Sequence, residues 1–422
     1  MSAFDKVIGY QEEKKELMQL CDMLRNREHY ERLGAEMPRG LLLYGDPGLG
    51  KSLMAKCFME ETGWKSYTIR RSKPNGDFVR DLSRTFLEAS RNAPAIILLD
   101  DMDKFVVEEK SWGEYVAVQA GIDEIADKNV YVIATANSLE GIPDSLLRMG
   151  RFDRKMEIRH PSEEDAVKII DFYLSTKKLG HSVDFADVAK MLGSSSCAEL
   201  EAVLNEAAIY AGYERSEQLE MRHIVDAALR SQYSAQGEEP GQNDRFRWKI
   251  SYHEAGHAAM LDLVQEGGVG LVSVRPSRSG QGGFTKSCIS PRTKEGNILI
   301  ALAGIAAVEL KYGVRDIGGS DDLQRAARQI KNAVNCYGLY GIGLMGTDWE
   351  KSDTLFARQE TALAVELERY LTMARTILAQ NMEFLNAVAG ELYEKGTLLN
   401  SDICRIRAKC AVKSPAQELW AS

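Results

Sequence analysis

No stretch of the sequence approaches the ~20 consecutive apolar residues that a membrane helix needs. The most apolar segment, NILIALAGIAAVEL from Asn297 to Leu310, is short and built mostly from small side chains, so it reads as a buried core helix. The N-terminus, MSAFDKVIGYQEEKKEL, lacks the basic region and apolar run of a signal peptide, which argues against export. Cysteine is sparse and unpaired: seven residues, at 21, 57, 197, 288, 336, 404 and 410, never spaced CxxC. That excludes a disulfide framework and a zinc ribbon, and it points to reduced thiols in a cytoplasmic compartment. Positive charge is not in excess either. Fifty-three basic against 62 acidic residues give a net charge of -9, which offers no overall attraction for nucleic acid or an anionic membrane.

What is present is ordinary globular composition, 44% hydrophobic and 27% charged, over 422 residues. A chain of that length folds as roughly two or three domains, each with its own core. From Gly40 to Ile158, short β-rich runs (GLLLYG, SYTIR, AIILLD, VYVIATA) alternate with amphipathic segments, the pattern of a parallel sheet with helices on both faces. From Pro161 onward the pattern is helical. Ser162 with Asp165 and Ser196 with Glu199 have capping-box spacing and should each start a helix. Residues 232–247 gather Gly, Pro, Gln, Asn and charges and read as a linker. Beyond it the sequence predicts a helix, a hairpin over GLVSVRPSRSGQGGFTKSCIS, and further helices, one of them running from about Thr354 to Ala379.

Two motifs carry chemistry. GDPGLGKS, comprising Gly45, Asp46, Pro47, Gly48, Leu49, Gly50, Lys51 and Ser52, follows the strand-like GLLLY and satisfies the phosphate-loop pattern. Its glycines let backbone N–H groups wrap the phosphates of ATP at a helix N-terminus. Lys51 would reach the β- and γ-phosphates, and Ser52 would hold Mg2+. AIILLDDMD is an apolar strand ending in acids, of which Asp100 would share the Mg2+ and Asp101 would polarise the attacking water.

The second motif is His253-Glu254-Ala255-Gly256-His257, which uses two of the chain's six histidines. Residues four apart on a helix differ by about 40° of rotation, so both rings can face one ion, and neutral imidazoles suit Zn2+. Glu254 would take a proton from water and pass it to the leaving amine. A third ligand is required, and spacing alone leaves Glu309, Asp316, Asp321 and Asp322 open.

The segment VYVIATANSLEGIPDSLLRMGRFDR resembles the AAA+ ATPases, and the HEAGH motif behind such a module resembles the FtsH family of ATP-dependent zinc metalloproteases. The likeness runs from FDKVIGYQEEKKEL to LYEKGTLLNSDI, nearly the whole chain. It implies an α/β AAA+ module with a helical lid, followed by a mainly helical zinc metallopeptidase domain. The corresponding boundaries are 1–160, 161–231, a linker at 232–247, and 248–422. It implies that Asn137 places the attacking water and that Arg148 and Arg151 are fingers reaching a neighbouring subunit's γ-phosphate, hence a homo-hexamer acting on polypeptide substrates. It also selects Asp322, from GGSDD, as third zinc ligand; a serine at 320 could cap the helix starting there and fix Asp322 in its first turn.

Five features depart from the family. The chain opens at the ATPase module without membrane-spanning helices; aspartate stands at 101 for glutamate; the stretch from Ile69 to Asp81 is shortened, leaving Phe78 as its aromatic. Met149 and Ile305 replace a proline and an arginine. Two other readings remain open at this stage: a remodelling ring with secondary proteolysis, and a peptidase whose ATPase module only assembles the ring.

Overall fold

The computed structural model describes the chain apart from residues 1, 72–77, 107–112, 236–243, 277–281, 290–292, 315–316, 338–352 and 416–422, together with the side chains of a few neighbouring helical residues. It divides into two compact units, 1–177 with 194–204, and 178–193 with 205–422. The helices expected as a lid are shared between them.

In the first unit, α1 (Gln11–Arg25) and α2 (Arg27–Arg32) precede β1 (Gly40–Tyr44), α3 (Lys51–Thr62), β2 (Lys65–Arg70), α4 (Phe78–Arg91), β3 (Ala95–Asp100), α5 (Gly113–Glu124), β4 (Val130–Ala136), β5 (Arg154–Glu157) and α6 (Glu163–Leu174). The five strands are all parallel in the order β2-β3-β4-β1-β5. β3 is buried along its full length and β4 over all but its first residue, because helices cover both faces, and the runs are continuously apolar for that reason. The register sets Tyr44 beside Ala136, and Leu99 beside Ala134. The loop after β1, the acids after β3 and Asn137 after β4 therefore emerge together at the carboxyl edge, where open α/β sheets bind ligands. Ser162 caps α6 by accepting from the Asp165 N–H at 3.1 Å.

α8 (Cys197–Tyr213) follows α7 (Phe185–Met191). At its start, Ser196 Oγ accepts from Glu199 N while Glu199 Oε2 accepts from Ser196 N, the reciprocal box its sequence predicts.

In the second unit, α9 (Met221–Tyr233) is followed by α10 (Asp244–Val264), β6 (Val269–Ser273), β7 (Phe284–Ser287), α11 (Lys294–Tyr312), α12 (Ser320–Tyr337), α13 (Asp353–Gln380), α14 (Met382–Lys395), β8 (Thr397–Leu399) and α15 (Asn400–Arg407). Helix α10 begins inside the stretch expected as linker, whose residues 236–243 lie outside the described residues. The expected hairpin is β6 with β7, antiparallel, and β8 completes a three-stranded sheet on the other side of β6. The apolar segment near Leu302 is α11, buried from Ile298 through most of its length to Val308. No helix among the described residues is long and apolar enough to cross a membrane.

α10 and α11 approach closely because small residues face each other. A Cβ on Gly256 would lie 2.4 Å from the Ala303 carbonyl oxygen, so glycine is required for this contact. Helix α7 is fastened to α15: Asp187 accepts from the Ser401 N–H at 3.0 Å, and Lys190 Nζ donates to Asn400 Oδ1 at 2.9 Å.

Candidate functional site

The helical pair α10 and α11 explains how two histidines become one site. His257 is 7% exposed, and its Nδ1 donates to the Ile300 carbonyl on α11 at 2.7 Å, which orients the ring and turns Nε2 away from that helix. His253 Nε2 lies 3.1 Å from His257 Nε2. Asp322, in the first turn of α12, completes a triangle: its Oδ2 is 3.0 Å from His253 Nε2 and 3.2 Å from His257 Nε2. Among the described residues, these three side chains are the one group of metal-ligating type gathered around a point.

The triangle fits zinc. Ligands at 2.0–2.1 Å in tetrahedral geometry stand ~3.3 Å apart, close to all three edges. Gly304 on α11 supplies the room, since a Cβ there would meet His257 Nε2 at 2.4 Å and His253 Nε2 at 2.7 Å. The electrostatics favour a cation as well. Burial opposes charge on Asp322, yet hydrogen bonds from His253 and His257 hold its carboxyl well below the usual range. Burial pulls the His257 imidazole down, but Asp322 overcomes it and lifts the group to about 9. Proton and metal compete for the same lone pairs there.

The other ligand candidates separate by position. Glu309 is 3.3 Å from Arg375 on α13, and Asp321 is exposed. Asp316 lies outside the described residues. Ser320 is the first residue of α12, preceded by a 3-10 turn over Ile317–Gly319. Ile305 fills the space beside that turn: a Cβ on Gly319 would sit 2.4 Å from its Cγ1.

Glu254, between the histidines, is 5% exposed and receives a hydrogen bond from Thr285 Oγ1 on β7, 2.9 Å from its Oε2. Burial pushes its carboxyl up, against the pull of His257, His253 and Thr285. A carboxylate made more basic by desolvation is what proton abstraction needs. Gly283 lets the chain pass over it, since a Cβ there would be 2.8 Å from Glu254 Cγ. Thr285, Gly283, Gly304 and the Ile300 carbonyl were not legible in the motif; each contributes from another element, and sequence spacing carries no signal for such contacts.

In the first unit the phosphate loop is wound as its glycines allow, with φ +142° at Gly45, +82° at Gly48 and +88° at Gly50. Lys51 Nζ donates to the Gly45 and Asp46 carbonyls at 2.7 Å each and to Asn137 Oδ1 at 3.1 Å. Ser52 Oγ and Thr135 Oγ1 both donate to Asp100 Oδ1 at 2.8 Å, so the two groups expected at Mg2+ are already adjacent. Asn137 Nδ2 donates to Asp103 Oδ2 at 3.1 Å. A cavity of about 590 Å3 opens beside the loop, lined among others by Gly45, Asp46, Leu49 and Asn137. Pro47 lies in the same turn.

Asp101 contacts Arg70 and Lys104, each 3.0 Å from its Oδ2. The two arginines after β4 differ. Arg148 is exposed, whereas Arg151 forks onto Asp123 of α5 with bonds of 2.9 and 3.1 Å. Phe78 opens α4 with its ring edge-on to Phe105, centroids 4.9 Å apart; residues 72–77 of the shortened stretch lie outside the described residues.

Comparison with known proteins agrees with this arrangement. The family model described as "ATPase family associated with various cellular activities (AAA)" matches residues 41–160, and that of peptidase family M41 matches 242–406. The chain is 32% identical to the ATP-dependent zinc metalloprotease FtsH of Lachnoclostridium phytofermentans, across 96% of this chain and 74% of that protein. It is 31% identical to ATP-dependent zinc metalloprotease FtsH 2 of Symbiobacterium thermophilum over the same shares. With both motifs in the fold they require and this likeness over nearly its full length, the chain belongs to the FtsH family of ATP-dependent zinc metalloproteases.

Proposed function

We propose that the chain is an ATP-dependent zinc endopeptidase that unfolds and degrades proteins, with Zn2+ and Mg2+-ATP as cofactors. The observation that carries this reading is the His253, His257 and Asp322 triangle with buried Glu254 beside it. These three residues would hold the metal, whose Lewis acidity brings a water within reach of ionisation near neutral pH. Glu254 accepts the water's proton, aided by its desolvation and oriented by Thr285, and returns it to the leaving nitrogen. A polypeptide laid along β7 would pass directly over Glu254, a form of strand addition.

In the ATPase module, Lys51 would exchange its carbonyl partners for the phosphates. Ser52 and Asp100 would hold Mg2+, while Asn137 and Asp101 would position and polarise the attacking water. The exposed guanidinium of Arg148 suits a finger acting on a neighbouring subunit; with Arg151 as its companion, this reading, carried by the likeness to the family, is of a homo-hexamer. The six described cysteines are all free thiols, in keeping with a cytoplasmic setting.

The test is cleavage of an unfolded protein such as casein, with and without ATP, by the wild type and Glu254→Gln. Cleavage that needs ATP and disappears in the variant is the expected result. Cleavage that ignores ATP would favour an ATPase module serving only assembly, a reading to which the engaged Asp101 lends support; undiminished cleavage by the variant would end the zinc peptidase assignment.

A further inference from the structure

Thr285 reaches Glu254 from β7, and among the described residues β7 pairs on one side only, with β6. Strand β6 is itself well fixed. All five of its residues are buried, β8 pairs its other edge, and the end of α7 lies so close that a Cβ on Gly270 would stand 2.5 Å from the Lys190 carbonyl oxygen. The placement of Thr285 therefore depends on what else holds β7.

Successive side chains of a strand point to opposite faces. Thr285 turns to α10, where its hydroxyl lies 2.9 Å from Glu254 Oε2 and 3.2 Å from the Glu254 carbonyl oxygen. Lys286 turns the other way, and its Nζ donates to Gln232 Oε1 on α9 at 2.8 Å. The same helix holds the chain just beyond β6. There Arg275 Nη1 donates to Asp226 Oδ1, and the Arg275 N–H donates to Ser273 Oγ at 3.2 Å. Asp226 and Gln232 are separated by about 9 Å along α9, so one helix is tied to both arms of the hairpin.

We propose that Asp226 and Gln232 are positioning residues for peptide cleavage: through Arg275 and Lys286 they make α9 a brace behind β7, which keeps the Thr285 hydroxyl on Glu254. The inference rests on the proposed role of Glu254 as proton acceptor. A group displaced by about 1 Å from its working position can cost ~100-fold in rate. Backbone pairing with β6 persists when one tie is cut, so β7 stays in the sheet and the loss from a single variant is smaller. Helix α9 precedes the segment 242–406 that matches the peptidase family, so on this reading cleavage also depends on residues outside that segment.

Steady-state cleavage of a short fluorogenic peptide by the full chain with ATP, alongside zinc content and ATP turnover of the same preparations, tests the brace. The Arg275 and Asp226 side chains are 18% and 35% exposed, which makes their tie a modest one. Asp226→Ala and Lys286→Met should each lower kcat for cleavage about three- to tenfold, with zinc content and ATP turnover at wild-type levels. Asp226→Glu, which keeps the acceptor, should return kcat towards the wild-type value.

A double-mutant comparison separates the brace from a general structural role. In a Thr285→Val background, which has already lost the hydroxyl, Asp226→Ala should lower kcat by a further factor of about two or less. Full additivity overturns the brace, and so does unchanged kcat in both single variants. Should Asp226→Ala lose zinc, Gln232→Ala takes its place with the same expectation, and zinc loss there too overturns the proposal. Glu254→Gln, measured in parallel, distinguishes the two levels: retained cleavage overturns the role of Glu254 itself, whereas lost cleavage with flat Asp226→Ala and Lys286→Met overturns only the brace.

Discussion

The zinc site and the nucleotide site solve the problem of holding charged groups in opposite ways. Around the metal the donors point at one another across 3.0–3.2 Å and are kept there by packing, with α11 pressed against them at Gly304 and the Ile300 carbonyl holding one ring. Around the phosphate loop the charged groups are bonded to the protein itself, Lys51 to loop carbonyls and Asp101 to Arg70 and Lys104. On the proposed function, one site is assembled before its ligand, and the other would exchange partners to receive its ligand. A metal ion tolerates little error in donor placement, whereas a phosphate chain is gripped by a loop whose donors can re-form their bonds.

Four substitutions would sharpen or break this contrast. Glu254→Gln leaves the triangle intact, so peptide cleavage should fall by about 10²–10⁴-fold while zinc content, measured on the purified protein, stays at the wild-type level. Loss of zinc with loss of cleavage would mean that Glu254 serves the metal rather than the proton. Gly304→Ala puts a methyl where the imidazole nitrogens sit; zinc affinity in a chelator competition should drop about 10- to 100-fold. Unaltered affinity would show that α11 yields easily and that the site is not held by packing.

Thr285→Val removes the hydroxyl that donates to Glu254 while keeping the β-branched shape, and kcat for cleavage should fall about tenfold with zinc content unchanged. Gly50→Ala should have the smallest effect. A Cβ there meets nothing within 4 Å, but φ of +88° disfavours any side chain, so thermal unfolding of the first unit should record a loss of about 1 kcal/mol. If Gly50→Ala proved as damaging as Gly304→Ala, the loop would be as tightly packed as the metal site and the contrast would fail.

Much of the architecture could be read from the residues because its causes are local. Alternation of apolar strands with amphipathic helices gave the parallel sheet, and Ser162 and Ser196 marked helix starts that the hydrogen bonds reproduce. The apolar run near Leu302 was short enough to be a core helix, and it is one. At α12 a 3-10 turn over Ile317–Gly319 leads straight into the helix, whose first residue is Ser320.

The pairing of His253 with His257 on one helix face was determined by the sequence alone, since helical rotation puts positions four apart on one face wherever the helix lies. So were the phosphate loop and its glycines, because positive φ and close approach to phosphate are properties of the residues in the loop itself. Residue spacing alone left the carboxylate that joins the histidines open, and only the likeness to the FtsH family pointed to Asp322; in three dimensions Glu309 turns to Arg375 and Asp322 enters on another helix. Thr285 on Glu254, Asp123 on Arg151, and the two cations on Asp101 were decided only there. Such partners are fixed by how separate elements pack and pair, and Arg70 reaches Asp101 because β2 and β3 lie side by side in one register.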